Sequence, residues 1–353
     1  MNFEEFKQQV MEDLPGALPE RLSNVEIEPV SVTKLQHGSY DGITIREEGS
    51  NIGMNLDLSG LFERMEKGTA YDEVLAEAVA IISNATAQAP KIDVDRLMDY
   101  EQLKETLSIQ VVPTASNEEM LQNIPHKEME DLSMVYRFVV GQDESGTQTI
   151  LVTNKLLEQY GITENQLHED AMENAPVFKP VQIRSMTEVL AEMMGADFAE
   201  DMGLPIPDVG DMMYVASTPG GSFGAGVITY PEFMDQAAEK VGGDFYVLPS
   251  SVHEVLIVPD KGERSCAELE NMVKEVNSTQ VDIQDQLSDK VYHYDSKEHI
   301  FELAEKYEKR VFDKEIDAEK SVVKDLKDKA KEASKAVKKD VIEHPKTKGG
   351  EAL

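Results

Sequence analysis

The sequence predicts an α+β fold, with mainly antiparallel sheets, helices packed on one face, and a long C-terminal helix. Three observations carry that expectation. β-Branched, alternating segments come in pairs with short turn-like joints, which favours hairpins over crossovers. Helical periodicity falls between the pairs of strands rather than after every strand. From residue 296 to Pro345 the chain has neither glycine nor another proline, and its charges alternate in sign.

Residues 2–14 place Phe3, Phe6 and Val10 on one stripe, so a short amphipathic helix is expected, broken at "LPGALP". Strand patterns follow in "NVEIEPVSVTKL", "YDGITIREE" and "NIGMNLDL", with a tight turn expected at Asp41-Gly42. "LSGLFERMEKG" and "TAYDEVLAEAVAIISNA" are helical, the first ending on Gly68. "DVDRLMDYEQLKETL" reads as a third helix. The pattern then restarts. "LSIQVVPT" is a strand, Ser116 with Glu119 a capping box, and "LSMVYRFVVGQDESGTQTILVT" two strands joined at "DESG". Thr163 with Gln166 and Ser185 with Glu188 open further helices, and "GLPIPDVGD" is a loop. "DMMYVAST" and "FGAGVITY" read as a hairpin around "PGGS". The helix "PEFMDQAAEKVGG", with Pro231 as its first residue, comes next. "DFYVL" and "VHEVLIVP" flank "PSS" as a second hairpin, followed by the helix "GERSCAELENMVKEVNS" and the strand "KVYHYD".

The last segment is one long exposed helix on this reading. Val323, Leu326, Ala330, Ala333 and Val337 step by three and four, a thin seam through which the 314–342 helix would self-associate. From 314 onward 11 Lys and Arg face 9 Asp and Glu, so the remainder carries a charge of −36 within a total of −34. The 353 residues divide into an N-terminal unit 1–105, a second unit 106–295 and a Lys-rich tail 296–353 with a frayed end.

With 41% hydrophobic residues the chain can build a core. A charge of −34 excludes a phosphate-neutralising nucleic-acid surface and docking on anionic lipid, and suits a basic protein partner. One cysteine, Cys266, excludes an internal disulfide and a cysteine zinc site. Its acidic neighbours would raise the thiol pKa. No apolar run approaches the ~20 residues of a membrane span, and the opening residues lack the pattern of a signal peptide. A cytoplasmic protein is expected.

Chemistry concentrates in "DFYVLPSSVHEVLIVPD", residues 244–260. His253-Glu254 starts a zinc-protease pattern, but Ile257 stands where the second histidine belongs. Ser250 and Ser251 lack the glycines of a nucleophile elbow. A proline-led turn with serines bonding local backbone is expected, between strands apolar on both faces. "TPGGSFGAG", 218–226, is glycine-rich but lacks the phosphate-loop ending, and reads as a hairpin loop. "DVDRLMDYE" lacks a calcium-loop glycine. No metal or cofactor is expected. If a site exists, Ser250, Ser251, His253 and Glu254 are its candidates.

The segments "MNFEEFKQQVMEDLP", "GITIREEGSNIGMNLDLSGLFERMEKG", "VTNKLLEQYGITENQLHEDAMENAP" and "GDFYVLPSSVHEVLIVPDKG" resemble an uncharacterised bacterial family of unknown function. That family occurs in anaerobic Firmicutes, often near integrative and conjugative elements. The resemblance covers about 1–295 and implies an accessory protein with no transferable catalytic residue. The expected function is a non-enzymatic, acidic protein-interaction module. Two alternatives stand: an acidic DNA mimic that inhibits a basic DNA-binding partner, and a hydrolase using the 250–254 region.

Overall fold

The structure is a computed structural model that describes residues 1–36, 38–47, 53–88, 94–143, 146–194 and 213–340. It is α+β with antiparallel sheets and a long C-terminal helix, as the periodicities predict.

The first sheet joins β1 (Val25–Lys34), β2 (Gly38–Glu47) and β3 (Gly53–Asp57) in sequence order. Helix α1 (Phe3–Ala17) opens with a capping box between Asn2 and Glu5, and continues through Pro15 rather than stopping at it. Its Phe6, Val10 and Leu14 bury against Ile43, Ile45 and Leu56 of the sheet and Ile82 of α3 (Tyr71–Gln88). Helix α2 (Ser59–Glu66) adds Leu61. Asp41-Gly42 is not a turn. Both lie inside β2, and a Cβ at Gly42 would overlap the Leu56 carbonyl of β3. The glycine is there for close strand approach.

The third helical stretch splits into α4 (Val94–Leu97) and α5 (Tyr100–Leu103), with Asp99 capping the second. A four-stranded sheet follows. Its long central strand β6 (Leu132–Asp143) pairs with β4 (Leu107–Pro113), β5 (His126–Met129) and, through the expected hairpin, β7 (Gly146–Leu151). The box at Ser116 does not form. Asn117 stands at the N-terminus of α6 (Glu118–Leu121) without a side-chain cap bond, because its side chain bonds the Pro113 carbonyl and the Gln36 N–H. Thr163 caps α8 (Glu164–Phe178), which follows α7 (Asn154–Tyr160). Ser185 and Glu188 make both bonds of their box at α9 (Met186–Met194).

Strands β8 (Gln182–Ser185), β9 (Tyr214–Ser217), β10 (Phe245–Leu248), β11 (Val255–Pro259), β12 (Tyr292–Asp295) and β13 (Ile300–Leu303) form the third sheet, in the order β13-β12-β10-β11-β9-β8. The loop "GLPIPDVGD" lies outside the described residues. "FGAGVITY" is not a returning strand. Residues Gly224–Thr229 form a 3-10 helix. Both edges of β9 are already occupied, by β8 and β11, so no hairpin partner can pair there. Gly226 instead lies against the Ile109 carbonyl of β4, where a Cβ would overlap. Helix α10 (Phe233–Val241) begins after Glu232, which makes no side-chain cap bond, rather than at Pro231, and ends on Gly242 in the left-handed region. Cys266 opens α11 (Cys266–Thr279), where burial beside Glu270 and Glu308 pushes its thiol up to about 11.

The second and third sheets share one core. Tyr136 and Phe138 meet Phe245, Val247, Val255, Ile257 and Tyr292. The opposite face of the third sheet packs Tyr246, Leu248 and Val258 on Leu269 and Val273 of α11. After Ser296 the chain first makes β13, then helix α12 (Ala304–Asp340). Phe312, Val322, Val323 and Leu326 of α12 are exposed. Among the described residues no helix is long and apolar enough to cross a membrane.

Candidate functional site

The segment singled out by sequence is strand, turn, strand, with β10 and β11 in register from Phe245–Pro259 to Leu248–Leu256. The second strand begins only at Val255, however, so Val252, His253 and Glu254 belong to the turn and not to the strand. The turn between them is braced from outside. Leu287 and Ser288 donate their N–H groups to the carbonyls of Ser250 and Pro249, and Val252 donates to that of Asp285. Ser250 is buried. Ser251 Oγ accepts from the His253 N–H at 3.1 Å, as a serine does in a local turn. The His253 ring is half exposed and faces Asp285, Nε2 to Oδ1 3.5 Å. Glu254 is exposed. Ser251 therefore bonds backbone while the imidazole pairs with a carboxylate on another segment.

What the turn packs against is the glycine-rich loop. Ser217 Oγ donates to the His253 carbonyl at 2.7 Å, and Ala225 N–H to that of Val252 at 3.1 Å. Gly224 is pressed between them: a Cβ there would overlap Ser217 Oγ and the His253 carbonyl and lie 2.9 Å from Thr218 N. The loop closes on itself through Gly221 N–H to the Thr218 carbonyl and Gly224 N–H to that of Gly221. Gly220, Gly221 and Phe223 all take positive φ. The two stretches that attract attention in the sequence thus form one junction in space.

Two cations meet the same loop. Arg137 on β6 donates from Nε to Gln110 Oε1 at 2.6 Å and from Nη1 to Thr149 Oγ1 at 3.0 Å, and its guanidinium lies 4.7 Å from the centre of the Phe223 ring. Burial pushes its pKa down to about 10. Lys179, 9% exposed at the end of α8, donates to the Ser222 carbonyl at 3.1 Å, and burial lowers its pKa too. Among the described residues neither has a carboxylate partner. Two hydroxyls nearby, Thr218 Oγ1 in the loop and Ser108 Oγ opposite Arg137 in the β4–β6 ladder, are buried without a hydrogen-bond partner. Sequence reasoning missed Arg137 and Lys179, because neither stands in a motif. The glycine run was the one available signal.

Beside Lys179 lies a surface groove of about 510 Å³. Met172, Pro176, Val181, Tyr230 and Phe233 line it, and Glu173 and Glu232 stand among its walls. Tyr230 Oη ties its floor to the Lys179 carbonyl at 3.1 Å. Val177, 82% exposed, also lines it. Among the described residues no group of three or more His, Cys, Asp or Glu side chains is placed to hold a metal ion.

The fold and this region define an antiparallel α+β scaffold with a part-buried cationic loop junction and an adjoining surface groove of mixed polarity. The chain belongs to a family of unknown function, DUF5688, whose model matches residues 3–296. No curated protein and no solved structure matches the chain.

Proposed function

We propose that the protein is a non-enzymatic interaction module that takes a basic protein partner in the groove over Tyr230. The observation that carries this is the groove's composition. Met172, Val181, Phe233 and the exposed Val177 line it together with Glu173 and Glu232, in a chain of net charge −34. Apolar centre with polar rim is the anatomy of a protein interface, and the rim's sign suits cationic side chains. The turn at 250–254 supports a binding role over a hydrolytic one, since Ser251 Oγ is engaged by its own turn backbone. The test is capture from the source cells with the full chain and with Val177→Asp as baits. Val177 is exposed, so the variant keeps its fold. A basic protein retained by the wild type and lost by the variant is expected. Retention of the same proteins by both baits would refute the groove as the binding surface.

A further inference from the structure

We propose that the junction of β6 with the loop Thr218–Gly224 is a binding site for a compact phosphate-class oxyanion, held by Arg137, Lys179 and the Thr218 hydroxyl. The protein has twice as many carboxylates as cations, 68 against 34. Four of its other arginines show what that excess does, whereas Arg21 donates to the Ser83 carbonyl. Arg46 pairs with Glu26, Arg64 with Glu77, Arg184 with Glu192, and Arg310 with Asp295, Glu298 and Glu302. Lys179 is buried and Arg137 part-buried, yet the groups they touch are an amide oxygen, a hydroxyl, a carbonyl and an aromatic face. Burying a cation away from any anion is costly, and here one from a strand and one from a helix end meet the same loop.

The remaining geometry points to the same ligand class. Arg137 uses two of its five N–H donors in the bonds above, and Lys179 one of three. Thr218 Oγ1 and Ser108 Oγ supply two more buried groups without partners, and each such group calls for an explanation in an ion or water. Glycines at 220 and 221 in the left-handed region leave the backbone of the loop bare of side chains, as loops that approach oxyanions require. A phosphate satisfies the charge and the donors together, because its oxygens accept from guanidinium, ammonium and hydroxyl at once. The loop is not a nucleotide-binding phosphate loop, since it leads into a short 3-10 helix and lacks a lysine of its own.

The experiment is calorimetric titration of inorganic phosphate into the full chain at constant ionic strength, with sodium acetate as a second titrant. Saturable binding to one site is expected, with acetate weaker. Lys179→Met preserves side-chain length without charge and should weaken phosphate at least about tenfold, the scale of a lost charge-assisted bond. At one phosphate concentration the melting temperature of the wild type should rise more than that of Lys179→Met. This second readout does not depend on Arg137→Gln, which could disturb β6. Absence of saturable binding, equal binding by Lys179→Met, or tighter binding of acetate would each overturn the assignment.

Discussion

Cutting the chain within α12 should separate a helix that belongs to the fold from one that does not. Two truncations frame the test, one ending at Asp313 and one at Leu303. Beyond Asp313 every described side chain is exposed except the half-buried Ile316, and among the described residues the ion pair to the body joins Lys314 to Glu298. An exposed pair contributes at most about 1 kcal/mol, so little stability leaves with the tail. Between 304 and 313 the situation is different. Ala304 is buried and donates to the Val291 carbonyl at 2.8 Å. Tyr307 stacks on His293 with ring centres 3.5 Å apart, and Arg310 binds Asp295, Glu298 and Glu302. Uncovering about 100 Å² around Tyr307 costs about 2.5 kcal/mol at ~25 cal/mol per Å². The stacked pair adds about 1 kcal/mol, and the partly buried arginine cluster about 1–2 kcal/mol more. The total is about 5 kcal/mol, which corresponds to a drop on the order of 10 °C or more. Thermal unfolding followed by circular dichroism at 222 nm reads both variants. Ending at Asp313 should shift the midpoint by less than about 3 °C. Equal losses in the two truncations would refute the assignment of stability to the first turns of α12.

Stability should fall on acidification. His293 is fully buried, with Nε2 3.1 Å from Asp260 Oδ2, Nδ1 unpartnered, and burial holding its pKa below the ordinary 6.5 despite Asp260. The unfolded chain therefore binds the proton first, so the contribution is complete above 6.5 and is lost as pH falls through the folded value. Melting temperature against pH, compared with His293→Phe, should show a weaker acid loss in the variant; equal slopes would exclude His293 as the titrating group. Ser251→Ala should cost at most about 1 kcal/mol, one local bond. Val255→Asp should cost at least about 4 kcal/mol, because Val255 is fully buried and the carboxylate would have no partner. Urea midpoints decide both, and a severe Ser251→Ala would mean the hydroxyl does more than brace its turn.

Much of the fold is legible in the sequence where one period dominates. α1, α3 and α11 follow their apolar stripes, and β10 and β11 follow their β-branched runs up to Pro249. Errors gather where a tertiary contact overrides the local signal. Asp41-Gly42 has turn chemistry, yet Gly42 is needed for the approach of β3. "FGAGVITY" has strand composition, yet β9 has no free edge to offer it. β13 was hidden in a charged stretch read as helix, because Ile300–Leu303 is too short to show alternation. The candidate site was half legible. The serine turn and the glycine loop stand out as residues, whereas their meeting rests on Ser217, Val252, His253 and Ala225 bonds that join distant segments. Arg137 and Lys179 carry no pattern, since what sets them apart is the uncharged groups they touch across distant segments.

The claim that charge and the groove's apolar residues together recruit a basic partner is tested most directly by measuring that partner's affinity at two salt concentrations with wild type and Val177→Asp. Exposed charges are screened within ~8 Å at physiological ionic strength, so the rim term should weaken steeply with salt. The account predicts at least about a tenfold loss of wild-type affinity between low and high salt. It predicts a further loss in Val177→Asp that persists at both concentrations, because the apolar contact is not screened. An affinity indifferent to salt, or a partner that binds Val177→Asp as tightly as wild type, would contradict it.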